Sequence, residues 1–351
     1  MTLSDTETQR EQMNNEKKRV TIIDVAKYAK VSTGTVSRTI NNSGYVGEKT
    51  RERIEEAIKK LNFVPNAAAR SMISKKSSII GVAVPEINNP WLADLVVRIE
   101  SCLSHQNYSV LLCNTQYKTS KIRSFVDDMI MRNVEGVIFV ASHITDKDIL
   151  RKLQTYMNTV SIGEHVGNSD TILFDDERAA YELTKHLINM GHTKISIIGF
   201  NENAEQTMIR VAGFKKAMEE NGLEVPPEYM VSSEANENSG YMCAKKLLSA
   251  AVPPTAIIAI NDFYAVHAYA AITEEGKKVG RDVSVVGFDD IMFARLISPA
   301  LTTVHYDTKG IAQMAASMLT EKIAGKTDVT REINMSATVI LRESAQRADE
   351  R

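Results

Sequence analysis

Hydrophobic residues near the N-terminus recur at helical spacing in two short runs. One face of a first predicted helix carries Ile22, Val25, Ala26 and Ala29. Thr21 is in position to cap this helix, with Asp24 as its partner in a capping box. The segment Lys30-Val31-Ser32 is too short for an ordinary loop, and Ser32 can cap a second helix over residues 33–41. The pattern therefore predicts two helices joined by a tight turn.

The second helix turns Val36 and Ile40 inward and leaves a polar face outward. That face consists of Thr33, Gly34, Ser37 and Arg38. Small polar residues and one arginine at the start of a helix are what the major groove of DNA admits, and they can read base edges. A plain helical hairpin has the same pattern, so DNA binding needs support from the rest of the chain.

Further apolar residues at helical spacing predict a third helix from Glu48 to Leu61. Pro65 follows closely, and the residue before a proline is pushed out of the helical region, so the helix ends there. From Ser77 the pattern changes to near-continuous apolar strands that alternate with helices.

Two successive sets of strands and helices follow. Strands are predicted at residues 79–85, 108–113, 134–140, 159–162, 194–199, 230–232, 256–261 and 283–289. Helices are predicted at residues 89–103, 119–132, 146–156, 176–190, 207–221, 237–250 and 262–275. Such alternation is typical of parallel sheets covered on both faces. The predicted fold class is an all-α helix-turn-helix domain followed by an α/β core of two Rossmann-like halves.

The first two helices resemble a known DNA-binding motif. The segments Ile22-Ile23-Asp24-Val25-Ala26 and Val31-Ser32-Thr33-Gly34-Thr35-Val36-Ser37-Arg38-Thr39-Ile40-Asn41 resemble the helix-turn-helix of the LacI/GalR family of bacterial transcription regulators. The similarity continues along the whole chain. It implies a hinge after the DNA-binding domain and a core similar to periplasmic sugar-binding proteins. Ligands in such folds bind between the halves, at the carboxyl ends of the strands.

The resemblance divides the chain into segments. They are a disordered extension (1–16), a helix-turn-helix domain (17–64), a hinge (65–76), an effector-binding and dimerisation core (77–342) and a tail (343–351). The chain would cross between the two halves of the core more than once. The first half would comprise 77–174 and 305–333, and the second half 175–304 and 334–342.

A dimer of this family would place both second helices in successive major grooves of a near-palindromic operator. Base readout would come from Thr33, Gly34 and Arg38. A bidentate Arg38–guanine contact discriminates by ~1–3 kcal/mol, whereas Gly34 has no side chain with which to specify its base pair. Phosphate contacts are expected from Thr21, Ser37, Asn41 and Tyr45, and Thr35 completes the expected DNA-binding set.

The expected hinge is Asn66-Ala67-Ala68-Ala69-Arg70-Ser71-Met72. An isolated helix of this length is marginal in water, so it would fold when the operator docks. Asn66, Ala69 and Met72 are expected to contact DNA, with Met72 as the apolar wedge in the minor groove. The alternative is that Met72 is only a linker residue. The chain departs from the family twice, with Met72 in place of the usual leucine and Gly47 in place of a capping Ser or Asp.

Six residues match effector positions of the family. They are Trp91, Phe174, Arg210, Asn261, Asp289 and Tyr306. A carboxylate such as Asp289 can accept hydrogen bonds from adjacent sugar hydroxyls, and Arg210 can fork onto oxygen acceptors. Glu164 and His165 are further candidates to line the cleft. Ala235 stands where some sugar-responsive relatives have an aromatic ring, which weakens the case for a stacked monosaccharide.

Each effector candidate also has a structural explanation. Asn261 and Asp289 could be helix caps, Trp91 and Phe174 could be core residues, and Arg210 could form a surface ion pair. His165 and His305 lack metal-ligand spacing. The sequence therefore predicts neither a metal site nor a cofactor.

Charge is distributed unevenly along the chain. From Lys17 to Lys76 there are 14 Lys and Arg against five Asp and Glu, an excess of nine positive charges. Because the whole chain carries −2, the remainder carries −11. A basic N-terminal domain on an acidic body is typical of nucleic-acid binding.

Composition constrains the protein class further. Cys102, Cys113 and Cys243 are too scattered for a disulfide framework or a zinc site, and buried free thiols are expected. No apolar run approaches the ~18 residues of a membrane span, and the N-terminus lacks the apolar core of a signal peptide. We therefore expect a cytoplasmic protein with no membrane partner.

The predicted function is sequence-specific DNA binding as a homodimeric transcriptional regulator, in the first place a repressor, controlled by a sugar or a related metabolite. Control by a protein co-regulator, or no effector at all, remains an alternative. A soluble ligand-binding protein and a nucleotide-dependent enzyme are less favoured. The chain has no G-x-G-x-x-G after a first strand, no G-x-x-x-x-G-K-[ST] and no H-E-x-x-H, so no catalytic residue is predicted and the protein is expected not to be an enzyme.

Overall fold

The computed structural model describes residues 20–64, 76–202, 204–233 and 239–348. The chain divides into two compact units, with the boundary between Ser77 and Ser78. The expected disordered extension lies outside the described residues. The same holds for the predicted hinge contacts Asn66, Ala69 and Met72.

Over residues 20–64, the described part of the first unit contains the helices α1 (Ile22–Ala29), α2 (Thr33–Asn41) and α3 (Glu48–Lys60). The predicted capping box begins α1, because Asp24 accepts from the Thr21 backbone N–H at 2.9 Å while Thr21 Oγ1 accepts from the Asp24 N–H. Lys30, at a φ of 51°, provides the tight turn. As expected, Gly47 gives α3 no side-chain cap.

The unit is held together by one small apolar core. Its fully buried residues come from all three helices and are Val25, Val36, Ile54 and Ala57. Arg53 of α3 also donates to the carbonyl oxygens of Ala29 and Lys30, which are left without partners where α1 ends. Helix α2 contributes Val36 to this core, so it packs on the other helices through one side and leaves its opposite side outward.

The second unit begins with alternating strands and helices. In chain order these are β1 (Ile79–Val84), α4 (Pro90–Ser104), β2 (Ser109–Asn114), α5 (Thr119–Met131), β3 (Gly136–Val140), α6 (Lys147–Tyr156), β4 (Asn158–Ile162) and β5 (Asp170–Phe174). The whole of β3 is buried, because helices cover both faces of a parallel sheet.

The pattern starts again after β5. The next elements are α7 (Asp176–Asn189), β6 (Ile195–Ile198), α8 (Glu205–Glu220), a 3₁₀ turn (Pro227–Tyr229), β7 (Met230–Val231), α9 (Ser239–Leu248), β8 (Ala256–Ala259), α10 (Asp262–Glu274), β9 (Ser284–Val286) and α11 (Met292–Leu296). The unit ends with β10 (Thr303–His305), α12 (Thr308–Ile323), β11 (Glu332–Met335) and β12 (Thr338–Ile340).

The strands form two parallel sheets, one in each half of the core. The first has the order β11-β5-β4-β3-β1-β2, and the second has the order β7-β6-β8-β9. Antiparallel β10 and β12 form a small ribbon beside β9. The chain therefore crosses between the halves after β5, after β10 and after β11.

The last crossing differs from the sequence-based boundary. The predicted change of half after residue 333 falls inside β11, which pairs with β5 as far as Met335. The change therefore lies at residues 336–337. In β11 the residues alternate between exposed and half-buried, as on an edge strand, so the segment lacks the continuous apolar run that marks the other strands.

Two expectations from composition have different outcomes. All three cysteines are free, but only Cys243 is buried, and Cys102 and Cys113 are partly exposed. The expectation of buried thiols was therefore wrong for two of the three, because apolar neighbours in sequence include residues on exposed faces. Among the helices that the structure describes, none is long and apolar enough to cross a membrane.

Candidate DNA-binding surface and effector site

Helix α2 presents one polar face away from the core of its unit. Ser32 Oγ caps the helix by accepting from the Thr35 N–H at 3.2 Å. Val36 and Thr39 are buried, which turns the opposite face outward. Thr33, Gly34 and Arg38 are all exposed there.

The predicted base-reading residues are free to contact a ligand. The Arg38 guanidinium has no hydrogen bond or ion pair with any described residue. A Cβ atom at Gly34 would meet only Ser32 Oγ, at 3.8 Å, so the surface around it is open. An unpaired arginine beside an open backbone suits the edge of a base pair.

The predicted phosphate contacts fall into two groups. Tyr45 is 93% exposed and its ring is free to reach outward. Asn41 Nδ2 donates to Ser37 Oγ at 3.3 Å, which leaves the Ser37 hydroxyl hydrogen available. Thr21 instead donates its hydroxyl to Asp24 Oδ2 at 2.7 Å, so a phosphate contact there requires an exchange of partner.

Thr35 has a local role. Its hydroxyl lies 2.9 Å from Ser32 Oγ, and its backbone carbonyl accepts from the Thr39 hydroxyl at 3.0 Å. These bonds stabilise the first turn of α2. Thr35 therefore supports the helix in addition to any contact with DNA.

In the core, three predicted effector residues form an aromatic cluster. The ring centroids of Trp91 and Phe174 are 5.9 Å apart, those of Trp91 and Tyr306 are 6.0 Å apart, and those of Phe174 and Tyr306 are 5.1 Å apart. All three side chains are buried. The indole Nε1 of Trp91 is buried and has no hydrogen-bond partner among the described residues, which is costly unless a ligand supplies an acceptor.

Arg210 lies at the centre of a buried polar network. Its Nε donates to Asp176 Oδ1 at 2.9 Å, one terminal nitrogen donates to the Ile260 carbonyl at 2.6 Å, and the other to Tyr306 Oη at 3.2 Å. Tyr306 Oη also donates to Asp176. Arg210 is 5% exposed, so the alternative of a surface ion pair is wrong. Each of the three guanidinium nitrogens therefore already donates a hydrogen bond to a protein group.

A close approach of two helices makes this network possible. A Cβ atom at Gly213 would lie 2.2 Å from the Glu177 carbonyl oxygen, so only glycine allows α8 to pack this closely on α7. Asp176 begins α7, and Arg210 precedes Gly213 by one turn on α8. The glycine thus brings the two charges within hydrogen-bond distance.

Asp289 is held in a strained and buried position. Its φ of 109° is unusual for a residue with a side chain, and its N–H donates to the Val304 carbonyl at 2.8 Å. The carboxylate is 3.9 Å from Arg210 and has no hydrogen bond to any described residue. Burial raises the pKa of Asp289 to about 7, although Arg210 opposes this shift. A buried carboxylate with no donor among the described residues can accept hydrogen bonds from the hydroxyl groups of a ligand.

The structural alternative applies to Asn261. Its Oδ1 accepts from the Tyr264 N–H at 2.9 Å and so caps α10. The neighbouring Asp262 is fully buried and accepts from Thr303 Oγ1 at 2.5 Å and from the Ile291 N–H at 3.0 Å. These bonds fix the segment that carries Asp289.

A cavity of about 250 Å³ lies at the carboxyl ends of the first-half strands. It also reaches the second half, at Asn201 and Ala204. None of the six predicted effector residues lines it. Five of them are buried, namely Trp91, Phe174, Arg210, Asp289 and Tyr306, and Asn261 caps α10. The cavity lining includes the polar residues Thr115, Tyr117, Ser142, His143, Thr145 and Glu164.

The two additional cleft candidates separate in the structure. Glu164 is 3% exposed and lines the cavity. His165 points elsewhere and lies 3.0 Å from Glu332 in an exposed pair. Asp176, His143 and Phe288 were not predicted from the sequence. The Phe288 ring centroid lies 4.5 Å from Cζ of the Arg210 guanidinium. The acidic residues that directly follow β5 were the available signal for Asp176.

A helix-turn-helix unit joined to a two-half α/β core with a polar and aromatic site defines the class of ligand-responsive DNA-binding regulators. Residues 21–66 match the family model of the "Bacterial regulatory proteins, lacI family". Residues 184–345 match the family model of the "Periplasmic binding protein-like domain". Because a repressor that is 35% identical covers 93% of the chain, the chain belongs to the lacI family of bacterial regulatory proteins.

The relatives support this membership over nearly the whole chain. The HTH-type transcriptional repressor PurR of Haemophilus influenzae (strain PittEE) is 35% identical over 332 residues, which cover 93% of this chain and 98% of that protein. PurR of Histophilus somni (strain 129Pt) is 34% identical over 330 residues, covering 93% and 99%.

Solved structures agree. The lac repressor dimer bound to operator and the anti-inducer ONPF has a TM-score of 0.83 at 28% identity, covering 94% of this chain and 100% of that chain. The transcriptional regulator CelR–cellobiose complex has a TM-score of 0.70 at 26% identity, covering 93% and 100%. The predicted family, the fold class and the function of a DNA-binding regulator rather than an enzyme are confirmed.

Proposed function

We propose that the protein is a cytoplasmic repressor that binds a near-palindromic operator as a homodimer and responds to a small polyhydroxylated effector, such as a sugar or a related metabolite. The exposed face of α2, with Thr33, Gly34 and Arg38, reads the operator. The Arg38 guanidinium, which no described residue pairs with, supports this assignment. Relatives of the chain are named repressors, and a related lac repressor is a dimer on its operator.

The effector proposal rests above all on Asp289. Within the described part of the chain, its buried carboxylate has no hydrogen-bond donor and the Trp91 indole N–H has no acceptor. A molecule with several hydroxyl groups supplies a donor to Asp289 and an acceptor to Trp91, while its ring or carbon face packs on the aromatic cluster. Related regulators are known with cellobiose and with ribose bound, which agrees with such a ligand.

The two sites act together through the hinge, in this proposal. The effector contacts residues of both halves, since Trp91 and Phe174 belong to the first half and Asp289 to the second. Closing the cleft on the effector then changes the separation of the hinge segments in a dimer, and so the cost of folding Asn66 to Met72 on DNA. A coupling free energy of ~1–3 kcal/mol is enough for regulation.

The experiment recovers DNA fragments bound by the full-length protein from sheared genomic DNA, and then repeats the binding with a panel of sugars and sugar phosphates. We expect one shared palindrome and its release by one class of sugar. Two variants serve as mutual controls. Arg38→Ala should lose the palindrome but keep the effector-induced rise in thermal stability, and Asp289→Asn should keep the palindrome but lose release. Absence of any enriched sequence would contradict the proposal.

A further inference from the structure

Three potential metal ligands from distant parts of the chain meet at the cavity between the halves. They are His143 after β3, Glu164 after β4 and Glu205 at the start of α8. One ligand atom from each lies within 4.8 Å of the other two. His143 and Glu164 belong to the first half and Glu205 to the second, so the group spans the cleft.

Glu164 provides the independent indication of a ligand. Its side chain is 3% exposed, and its Oε2 is buried without a well-formed hydrogen bond from any described residue, with His143 Nδ1 3.3 Å away as its charged neighbour. Burial raises the pKa of Glu164, whereas the neighbouring His143 lowers it. A buried carboxylate oxygen that lacks a well-formed hydrogen bond is unfavourable, and nearby Glu205 adds repulsion between like charges. A bound cation removes both penalties.

The geometry favours a transition metal. His143 Nδ1 and Glu164 Oε2 are 3.3 Å apart. Neighbouring ligands of a tetrahedral zinc ion, at bonds of ~2.0–2.1 Å, are separated by about 3.3–3.4 Å. One imidazole and two carboxylates suit zinc or a similar divalent ion, whereas calcium and magnesium prefer oxygen ligands alone. Glu205 is exposed and its long side chain can move inward to complete the site.

We propose that His143, Glu164 and Glu205 bind a divalent transition-metal ion, zinc in the first place, that bridges the two halves of the core. Because His143 and Glu164 both line the cavity, a fourth ligand position of the ion would be open to water. A metal held by both halves stabilises the arrangement in which Glu205 is close to Glu164. The shift in this conformational equilibrium is limited by the difference between the free energies with which the metal binds this arrangement and the other arrangements.

The experiment titrates zinc into metal-stripped full-length protein by calorimetry, with cobalt(II) absorption as a report on the coordination geometry. We expect one ion per chain. Glu164→Gln and Glu205→Gln should each weaken zinc binding at least tenfold. Loss of a group that only supports a ligand already costs about 10–100-fold, and each of these substitutions removes a carboxylate ligand itself. Glu205 is exposed, so its variant tests the site even if Glu164→Gln folds poorly.

His165→Ala is the matched control. His165 follows Glu164 directly and forms an exposed pair with Glu332, so it tests whether zinc merely collects on surface histidines. Binding that His165→Ala abolishes, or that Glu164→Gln leaves unchanged, would overturn the site and leave His143 and Glu164 as a simple ion pair. Full affinity in Glu205→Gln would overturn the bridge between the halves.

An effect of zinc on DNA binding rests on the proposed function and is measured separately. Operator affinity is compared with and without zinc for the wild type and for Glu205→Gln. A zinc effect that is present only in the wild type supports regulation by the bridge, whereas an unchanged affinity contradicts it. If no operator is bound in either condition, the proposed function fails while the calorimetry still decides the metal site.

Discussion

The Asp176–Arg210 pair gives the strongest test of how the core is held together. The two side chains are 3% and 6% exposed, and Asp176 Oδ1 accepts from Arg210 Nε at 2.9 Å and also from Tyr306 Oη. Asp176→Asn retains an acceptor oxygen but removes the negative charge. Arg210 is then left buried with Asp289, 3.9 Å away, as its remaining acidic neighbour.

The expected cost follows from the burial. Breaking a buried ion pair by removing one partner costs roughly 3–5 kcal/mol, because the other charge stays in the interior. Since asparagine keeps a hydrogen-bond acceptor, we expect about 3 kcal/mol for Asp176→Asn. At 1.4 kcal/mol for each factor of ten, this lowers the folding equilibrium constant by about a factor of 100.

The assay is unfolding in urea, followed by tryptophan fluorescence. Trp91 is the only tryptophan of the chain and packs in the same cluster as Tyr306, so the signal reports on the core. A lower midpoint with an unchanged slope identifies a loss of stability.

The adjacent Asp175 supplies the control. It forms an ion pair with Arg178 in which both side chains are 43% exposed. Such pairs contribute about 0.2–1 kcal/mol, so Asp175→Asn should change the free energy of unfolding by less than 1 kcal/mol. Equal effects of the two substitutions would refute the argument that burial of the pair determines the cost.

Three further predictions concern the other sites. Gly213→Ala should destabilise the core by more than about 2 kcal/mol, because its Cβ would overlap the Glu177 carbonyl. Gly34→Ala has open space and should stabilise its helix by up to about 1 kcal/mol. Urea unfolding measures both variants, and equal effects would contradict the packing argument. Arg38→Lys should keep salt-dependent binding to any DNA, but it should lower the preference for the operator by ~1–3 kcal/mol, because lysine cannot form the bidentate contact. Competition binding measures this preference, and an undiminished preference would exclude a base-reading role for Arg38. The pKa of Asp289 is raised to about 7, so its contribution to stability is fully present below about pH 4 and is lost as pH rises through 7. Relative to Asp289→Asn, which does not ionise, the wild type should lose roughly 2–3 kcal/mol between pH 5 and pH 7 in urea unfolding, and parallel pH profiles would contradict the raised pKa.

Local patterns determined the helix-turn-helix and the strand–helix alternation. The capping box of Thr21 and Asp24 and the inward Val36 involve residues within one or two turns of each other. Such interactions repeat with the period of the element, so the sequence displays them directly. The buried strand β3 was recognisable for the same reason, as a continuous apolar run.

The family resemblance extended the prediction to the cleft but not to its internal contacts. It pointed to Arg210, Asp289 and Tyr306, which the structure brings together. It did not reveal that Asp176, rather than the adjacent Asp175, neutralises Arg210. Both aspartates follow β5, and only the close packing of α7 on α8 at Gly213 decides which one is buried.

The proposed metal site depends entirely on the tertiary structure. His143, Glu164 and Glu205 have no characteristic spacing, because each follows or begins a different element in two separate halves. Parallel strands carry their carboxyl ends to one edge of a sheet whatever the length of the connections, so residues far apart in sequence become neighbours there. The sequence by itself determined which elements form and which class of protein they build. The packing of the two halves decided which charged groups are paired, which are buried without a partner, and where a ligand can bind.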